Sequence, residues 1–188
     1  MDRTACFIDG GYFQNVLRYF GEPRIDFQKL AWRMKGDGQL LRAYYYNCRC
    51  LVSENPTEEE LDHQNRQERF FYKLQTIPQF ECKFGTLEMR PREDGTQKPV
   101  QKQVDVMMAL DIAKLSWKHL ITKASIIAGD ADLIPAIQSA KDEGVVVELF
   151  YSGGTVSREI LQMVDIATEI TFDVIEEVKL IDEYGTAW

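Results

Sequence analysis

The chain has 188 residues, of which 45% are hydrophobic, and its formal net charge is −8. That length and apolar content suit one domain with a buried core, here residues 1–188, and no apolar run approaches the roughly 18 residues that a transmembrane helix needs. The acidic balance argues against a protein that mainly coats nucleic acid through a basic surface. It leaves nucleases open, because metal ions can supply positive charge where a phosphate docks.

Short apolar strands and amphipathic helices are predicted to alternate along the chain. In chain order the predicted elements are a strand at 4–9, a helix at 12–19, a helix at 27–35, a strand at 40–51, a helix at 57–75, a strand at 80–89, a helix at 102–115, a strand at 123–128, a helix at 133–141, a strand at 145–151, a helix at 157–164, a strand at 169–172 and a helix at 174–178. Alternation of this kind specifies an α/β fold with a mainly parallel central sheet and helices on both faces.

Capping and turn residues set several of these bounds. Asp26 and Asp173 are candidate N-caps, and Thr57 followed by three glutamates is typical of a helix start. Residues 91–99 are polar and contain two prolines, which predicts an exposed loop and a candidate flap over a site.

A basic stretch in the middle of the chain runs against the average charge. Its members are Lys83, Arg90, Arg92, Lys98 and Lys102. It is a candidate rim for binding a nucleic-acid backbone, and a solvated hairpin is an equally good interpretation.

The four cysteines, Cys6, Cys48, Cys50 and Cys82, lie within or beside apolar strand-like segments. We expect free thiols in a reducing compartment, and hence a cytoplasmic protein, since the N-terminus also lacks a signal-peptide pattern. Cys48 and Cys50, with Cys82 or His63, offer structural zinc as an alternative, although the C-x-x-C spacing typical of such sites is missing.

Four aspartates lie at apparent strand ends or helix starts. Asp9 ends the first strand, Asp105 lies in the first turn of a helix, and Asp130 and Asp132 follow the strand at 123–128. Each has an ordinary explanation: a turn aspartate for Asp9, a solvated helix face for Asp105 and an N-cap for Asp132. Two acids in one turn are nevertheless more than a cap requires.

The strands that precede Asp9 and Asp130 are expected to be neighbours in the centre of the sheet, with their carboxyl ends on one edge. All four acids then face one pocket, where their mutual repulsion favours a bound cation. Hard oxygen ligands suit Mg²⁺ or Mn²⁺, and two ions about 4 Å apart would activate water and neutralise the leaving oxygen of a phosphodiester. The pattern therefore predicts a phosphodiester-cleaving enzyme.

Five segments, in this order and spacing, carry a resemblance to a known family. They are Phe7-Ile8-Asp9-Gly10, Lys102-Gln103-Val104-Asp105-Val106 with Asp111 in the same helix, Ala128-Gly129-Asp130-Ala131-Asp132-Leu133-Ile134-Pro135, Gly144-Val145-Val146-Val147, and residues 157–165. Together they resemble the NYN domains of the PIN-like nuclease superfamily, particularly the bacterial LabA-like branch.

The resemblance implies a Rossmann-like PIN fold and a metal-dependent endoribonuclease. Asp9, Asp105, Asp130 and Asp132 match the acidic positions that bind Mg²⁺ or Mn²⁺, and Ser157 and Asp165 match recurring polar positions. We add Tyr12, Asn15, Lys102 and Ser157 as candidate substrate contacts. Asp111, six residues beyond Asp105, points away from it around the helix and is interpreted as a supporting residue.

One departure from the family pattern leaves a second interpretation open. Relatives often have asparagines just after the first Asp-Gly, where this chain has Gly11 and Tyr12. An RNA-binding or regulatory module with little turnover, acting with a protein partner or as a homodimer, is therefore the alternative. A phosphatase with an aspartyl nucleophile is disfavoured, because Gly11 occupies the second acidic position of such enzymes.

Overall fold

Strands and helices alternate along the residues that the computed structural model describes, which are 2–53, 55–91 and 97–181. The strands are β1 (Arg3–Asp9), β2 (Gln39–Cys48), β3 (Phe80–Pro91), β4 (Gln97–Lys102), β5 (Lys123–Ile127), β6 (Val146–Tyr151) and β7 (Ile166–Glu169). The helices are α1 (Gly10–Tyr19), α2 (Phe27–Lys35), α3 (Glu58–Thr76), α4 (Val104–Trp117), α5 (Ile134–Asp142), α6 (Arg158–Met163) and α7 (Phe172–Val178), with a 3₁₀ turn at Ala131–Leu133. The α/β class predicted from the sequence is confirmed.

The strands form one sheet in the order β4-β3-β2-β1-β5-β6-β7. Six of them are parallel, and β4 pairs antiparallel with β3 at one edge. Strand β1 lies between β2 and β5. The sheet therefore grows from β1 to one side through β2, β3 and β4, and to the other side through β5, β6 and β7. A crevice forms beyond the carboxyl ends of the strands at such a switch point. The predicted adjacency of the strands before Asp9 and Asp130 is confirmed.

The sheet buries apolar side chains on both faces. In β1 the side chains alternate: Cys6 and Ile8 belong to the core under α1, α2, α3 and α7, whereas Ala5 and Phe7 belong to the core under α4, α5 and α6. Asp9 continues the alternation of Ala5 and Phe7, because successive strand residues point to opposite faces. The last residue of β1 is therefore directed towards the side of the sheet on which α4 packs.

Two predicted caps are present, and one is wrong. Asp26 accepts hydrogen bonds from the backbone N–H groups of Gln28 and Lys29, both at 3.0 Å. Thr57 and Glu60 form a reciprocal capping box at the start of α3. Asp173, however, lies inside α7, and the cap is Thr171, whose hydroxyl accepts from Val174 N at 3.4 Å. A threonine hydroxyl caps a helix as an aspartate carboxylate does, and α7 starts two residues earlier than predicted.

The predicted loop at 91–99 is corrected in part, because residues 97–102 form β4. The pairing of Arg90 with Lys98 and of Thr86 with Lys102 makes this region a β-hairpin. Arg92 and the tip of the predicted flap lie outside the described residues. Strand β7 also comes three residues earlier than predicted, at Ile166–Glu169.

Tyr44, Tyr45 and Tyr46 are buried in the core, as expected for a tyrosine-rich strand. Cys6 and Cys48 are buried, Cys50 and Cys82 are half-buried, and all four are free thiols. Cys50 Sγ lies 3.1 Å from His63 Nδ1. Among the described residues, none of the helices has the length and apolar character to cross a membrane.

Candidate active site

A cleft of about 880 Å³ opens at the carboxyl edge of the sheet, beside the junction of β1 and β5. It is lined by Asp9, Gly11, Tyr12, Gln14, Asn15, Arg18, Asp105, Gly129, Asp130, Ala131, Thr155 and Ser157. Six of the eight sequence-predicted site residues are in this lining. The two that are not are Asp132 and Lys102.

Asp9 ends β1 and caps α1, with its Oδ1 accepting a 3.0 Å hydrogen bond from Tyr12 N. Burial raises the pKa of its carboxyl group from 3.8 to about 6, against the lowering effect of that hydrogen bond. The negative charges of Asp105 and Asp130 raise the pKa further. Both interpretations of Asp9 from the sequence therefore hold together. Asp9 stabilises a turn, and it also lies close enough to other acids for their charges to act on it.

Asp105 reaches the cleft because the chain turns sharply between β4 and α4. Gln103 makes this turn in the left-handed region, with φ 71°, and Asp105 then falls in the first turn of α4. Burial raises the pKa of Asp105, followed by the charges of Asp130 and Asp132. Carboxylates from three separate segments of the chain thus influence one another across one cleft.

Asp130, not the predicted Asp132, caps the turn that follows β5. Its Oδ1 accepts a 3.0 Å hydrogen bond from the backbone N–H of Asp132. A 3₁₀ turn at Ala131–Leu133 precedes α5. Because the 3₁₀ turn begins before the α-helix, the capping aspartate is Asp130, two residues before the predicted Asp132. The side chain of Asp132 is exposed and outside the cleft lining, although its charge still reaches Asp105.

The charge and donor chemistry of the cleft fit a divalent cation. Within the described residues, none of the four aspartates forms an ion pair with a lysine or arginine. Carboxylate oxygens are the donors that Mg²⁺ and Mn²⁺ prefer. The same part of the chain nevertheless contains no three acidic, histidine or cysteine side chains arranged to hold a metal ion.

Tyr12 closes one side of the cleft. Its hydroxyl oxygen accepts a 3.1 Å hydrogen bond from Ser152 N and lies 3.1 Å from Thr155 Oγ1. Its ring lies so close to Gly129 that a Cβ at that position would overlap the ring. The hydroxyl group is therefore held in place by two hydrogen bonds to protein.

Ser157, at the start of α6, and Asn15, on α1, both line the cleft. Ser157 caps α6 by accepting a 3.2 Å hydrogen bond from Glu159 N, and its own N–H donates to Gly129 O at 3.1 Å. Asn15 Oδ1 accepts a 3.0 Å hydrogen bond from the guanidinium of Arg18.

Sequence reasoning missed three polar residues of the lining: Gln14, Arg18 and Thr155. The sequence could have predicted Arg18 as a lining residue, because it lies seven residues after Gly11 and three after Asn15, on the same face of a helix. Thr155 had no such signal, since its place depends on how the loop after β6 folds over the sheet.

Lys102 and Asp111 lie in ion pairs away from the cleft. Lys102 Nζ is 2.6 Å from Glu88 Oε2, across the hairpin of β3 and β4. Asp111 is 9% exposed, and its Oδ2 accepts hydrogen bonds from Tyr46 Oη at 2.8 Å and Lys83 Nζ at 2.6 Å. Asp165 caps the backbone of β6 by accepting from Val147 N at 2.8 Å.

A family model described as NYN domain matches residues 3–171. A crystal structure of a protein of unknown function from Vibrio parahaemolyticus RIMD 2210633 shares the fold with a TM-score of 0.66 and 16% identity, over 95% of this chain and 96% of that one. Acinetobacter baumannii MurG gives a TM-score of only 0.38 at 9% identity, over 91% of this chain and 42% of that one. No curated protein matches the sequence.

Proposed function

The chain belongs to the NYN domain family, and we propose that it is a metal-dependent ribonuclease that hydrolyses RNA phosphodiester bonds in the cleft. One observation carries the proposal. Asp9, Asp105 and Asp130 come from three separate segments and share one cleft, without a basic partner among the described residues. Besides burial, the charges of Asp105 and Asp130 raise the pKa of Asp9, and the charge of Asp130 raises the pKa of Asp105. Such crowding of like charges destabilises the empty site and favours cation binding.

In this proposal Asp9, Asp105 and Asp130 hold Mg²⁺ or Mn²⁺ directly, and Asp132 helps to hold the ion or a water bound to it. The ion, when bound, would supply a Lewis acid and an activated water for phosphodiester hydrolysis. Asn15 from α1 and Ser157 from the start of α6 orient the substrate by hydrogen bonds, and Tyr12 contacts it through its ring. Lys102 is the substrate contact that the geometry supports least, because Glu88 already pairs with it.

Several finer points belong to the same proposal. We assign the chain to the LabA-like branch, treat residues 1–188 as one domain, and expect endonucleolytic cleavage of RNA in the cytoplasm. The motif order described above is the support for the branch, and the free thiols are the support for a reducing compartment. A homodimer or a protein partner remains part of the alternative function.

That alternative is an RNA-binding or regulatory module with little turnover. Two observations favour it: Gly11 and Tyr12 replace the asparagines that relatives often have, and no three side chains in the described ranges are arranged to hold a metal. Both functions use the same cleft, so a measurement of RNA cleavage distinguishes the ribonuclease from the RNA-binding module.

The test is a cleavage assay of the purified protein on labelled RNA, labelled DNA and a small phosphomonoester, each with Mn²⁺ or with a chelator. RNA cleavage that requires Mn²⁺ is expected, without hydrolysis of the phosphomonoester. Asp130→Asn should abolish cleavage with the melting temperature unchanged or raised, because one of several like charges is removed. Asp173→Asn, which changes an exposed acid on α7, is the control and should retain activity. RNA bound but never cut would favour the regulatory module instead.

A further inference from the structure

The exposed face of α1 continues the cleft away from the aspartates. Phe13 and Val16 of this helix are buried. Asn15 follows Gly11 by four residues, and Arg18 and Tyr19 follow Asn15 by three and four, which places these residues on the side of the helix that faces away from Phe13 and Val16. The first three line the cleft, and Tyr19 lies at the far end of the helix, about 15 Å from its start at 1.5 Å per residue.

Arg18 brings a positive charge to this face, and it is the one lysine or arginine in the cleft lining within the described residues. Its Nη1 donates to Asn15 Oδ1 at 3.0 Å, and its Nε lies 3.6 Å from Glu22 Oε1. These contacts orient the guanidinium, while the side chain remains 66% exposed. An exposed, oriented guanidinium beside an acidic cleft suits a phosphate group next to the one being cleaved.

Tyr19 presents an aromatic ring to solvent at the end of the same face. The residue is 74% exposed, and the ring packs edge-on against Phe20 with 5.1 Å between centroids. Phe20 packs in turn against Phe172 at 4.8 Å. The ring of Tyr19 is therefore supported by neighbouring aromatic side chains and still exposed, as a surface on which a base could stack would be.

We propose that this face of α1, formed by Gly11, Asn15, Arg18 and Tyr19, binds the strand that flanks the cleaved bond of a single-stranded RNA. Arg18 pairs with a phosphate of the strand, and Tyr19 stacks on one of its bases. The strand is single because bases paired inside a duplex stack on one another and are not available to a side chain. This inference rests on the proposed nuclease function and adds the path of the substrate to it.

The test measures binding of fluorescein-labelled single-stranded RNA by fluorescence anisotropy, in the Asp130→Asn background with Mn²⁺ so that the RNA stays intact. Tyr19→Ala should weaken binding of a ten-nucleotide RNA about fivefold to a hundredfold, the effect expected for losing one stacked base, and Tyr19→Trp should restore it. The matched control is Tyr72→Ala, because Tyr72 is 71% exposed on α3 and should leave affinity unchanged.

Arg18→Gln tests the phosphate contact separately. The plot of log binding constant against log salt concentration should lose about 0.7 from its slope, the value for one phosphate contact on a single strand. Arg66→Gln, which changes an exposed arginine on α3, should leave the slope unchanged.

The outcomes separate this inference from the proposed function. If the wild-type protein cleaves RNA but Tyr19→Ala and Tyr72→Ala bind it equally well, the face of α1 is not the path and the nuclease function stands. Equal loss of affinity for a blunt duplex and a single strand on Tyr19→Ala would overturn the single-stranded path. If the wild-type protein neither binds nor cleaves RNA, both proposals fail.

Discussion

The hydroxyl oxygen of Tyr12 accepts a 3.1 Å hydrogen bond from the backbone N–H of Ser152. This bond ties α1, which follows β1, to the loop that follows β6, and it passes over the turn that follows β5. Asp9 directly precedes α1 and Asp130 lies in the turn after β5, so Tyr12 links the segments that carry these two aspartates to the loop after β6. Tyr12 thus has a structural role besides the substrate contact that we propose for it.

Tyr12→Phe should lower both stability and cleavage rate. It removes the acceptor for Ser152 N and the partner of Thr155 Oγ1, so the free energy of unfolding should fall by about 1 kcal/mol. The measurements are urea denaturation and kcat on RNA. Tyr72→Phe, on the exposed side of α3, is the control and should change neither quantity. A Tyr12→Phe variant with wild-type kcat would show that the hydroxyl does not shape the cleft.

Gly129→Ala should damage the same region by overpacking. A Cβ at Gly129 would overlap the Tyr12 ring and lie 2.6 Å from Thr155 O, which is backbone and moves less easily than a side chain. We expect a loss of about 1 to 3 kcal/mol in stability, measured by thermal melting, together with loss of RNA cleavage. In Gly153→Ala the nearest atom to the new Cβ is a Glu169 carboxylate oxygen at 3.0 Å, and this side-chain end can move aside. Equal effects of the two substitutions would contradict the prediction.

Asp9→Asn should stabilise the metal-free protein at neutral pH. Because burial raises the pKa of Asp9 from 3.8 to about 6, the folded state holds a proton that the unfolded state releases. This contribution to stability is fully present below pH 3.8 and is lost as the pH rises through about 6. It corresponds to about 3 kcal/mol. Asparagine caps a helix as well as aspartate does, so the cap at α1 should survive.

The measurement is thermal melting of wild type and Asp9→Asn in chelator from pH 3 to pH 8. The two proteins should melt alike at low pH, and the variant should melt higher above pH 6. Adding Mn²⁺ at pH 7.5 should narrow the gap, because the ion stabilises only the folded wild type that binds it. A gap that stays constant with pH would mean that Asp9 has an ordinary pKa.

Lys83→Met should destabilise the fold because it removes the cation that pairs with buried Asp111. We expect a loss of about 2 kcal/mol, somewhat below the cost for fully buried pairs, since Lys83 is a quarter exposed. Lys102→Met breaks the more exposed pair with Glu88 and should cost at most about 1 kcal/mol. Urea denaturation of both variants gives the comparison. The same Lys102→Met protein also tests its proposed substrate contact, and unchanged KM for RNA would remove Lys102 from the site.

Local patterns in the sequence determined the α/β alternation, the caps at Asp26 and Thr57, and the adjacency of the strands that precede Asp9 and Asp130. They could do so because apolar periodicity and capping act within a few residues, and because a right-handed strand-helix-strand connection leaves few arrangements for a parallel sheet. Residues 97–102 were not recognised as a strand, since that segment is polar and its pairing with β3 is an interaction between strands.

The tertiary structure decided where the lining of the cleft departs from the sequence prediction. Arg18 enters it and Lys102 does not, because Asn15 holds the one and Glu88 the other. Asp130 faces the cleft whereas Asp132, two residues later, stays outside, because a 3₁₀ turn separates β5 from α5. Side-chain direction depends on strand register, on turn geometry and on partners distant in sequence, and none of these is a property of the local residue pattern.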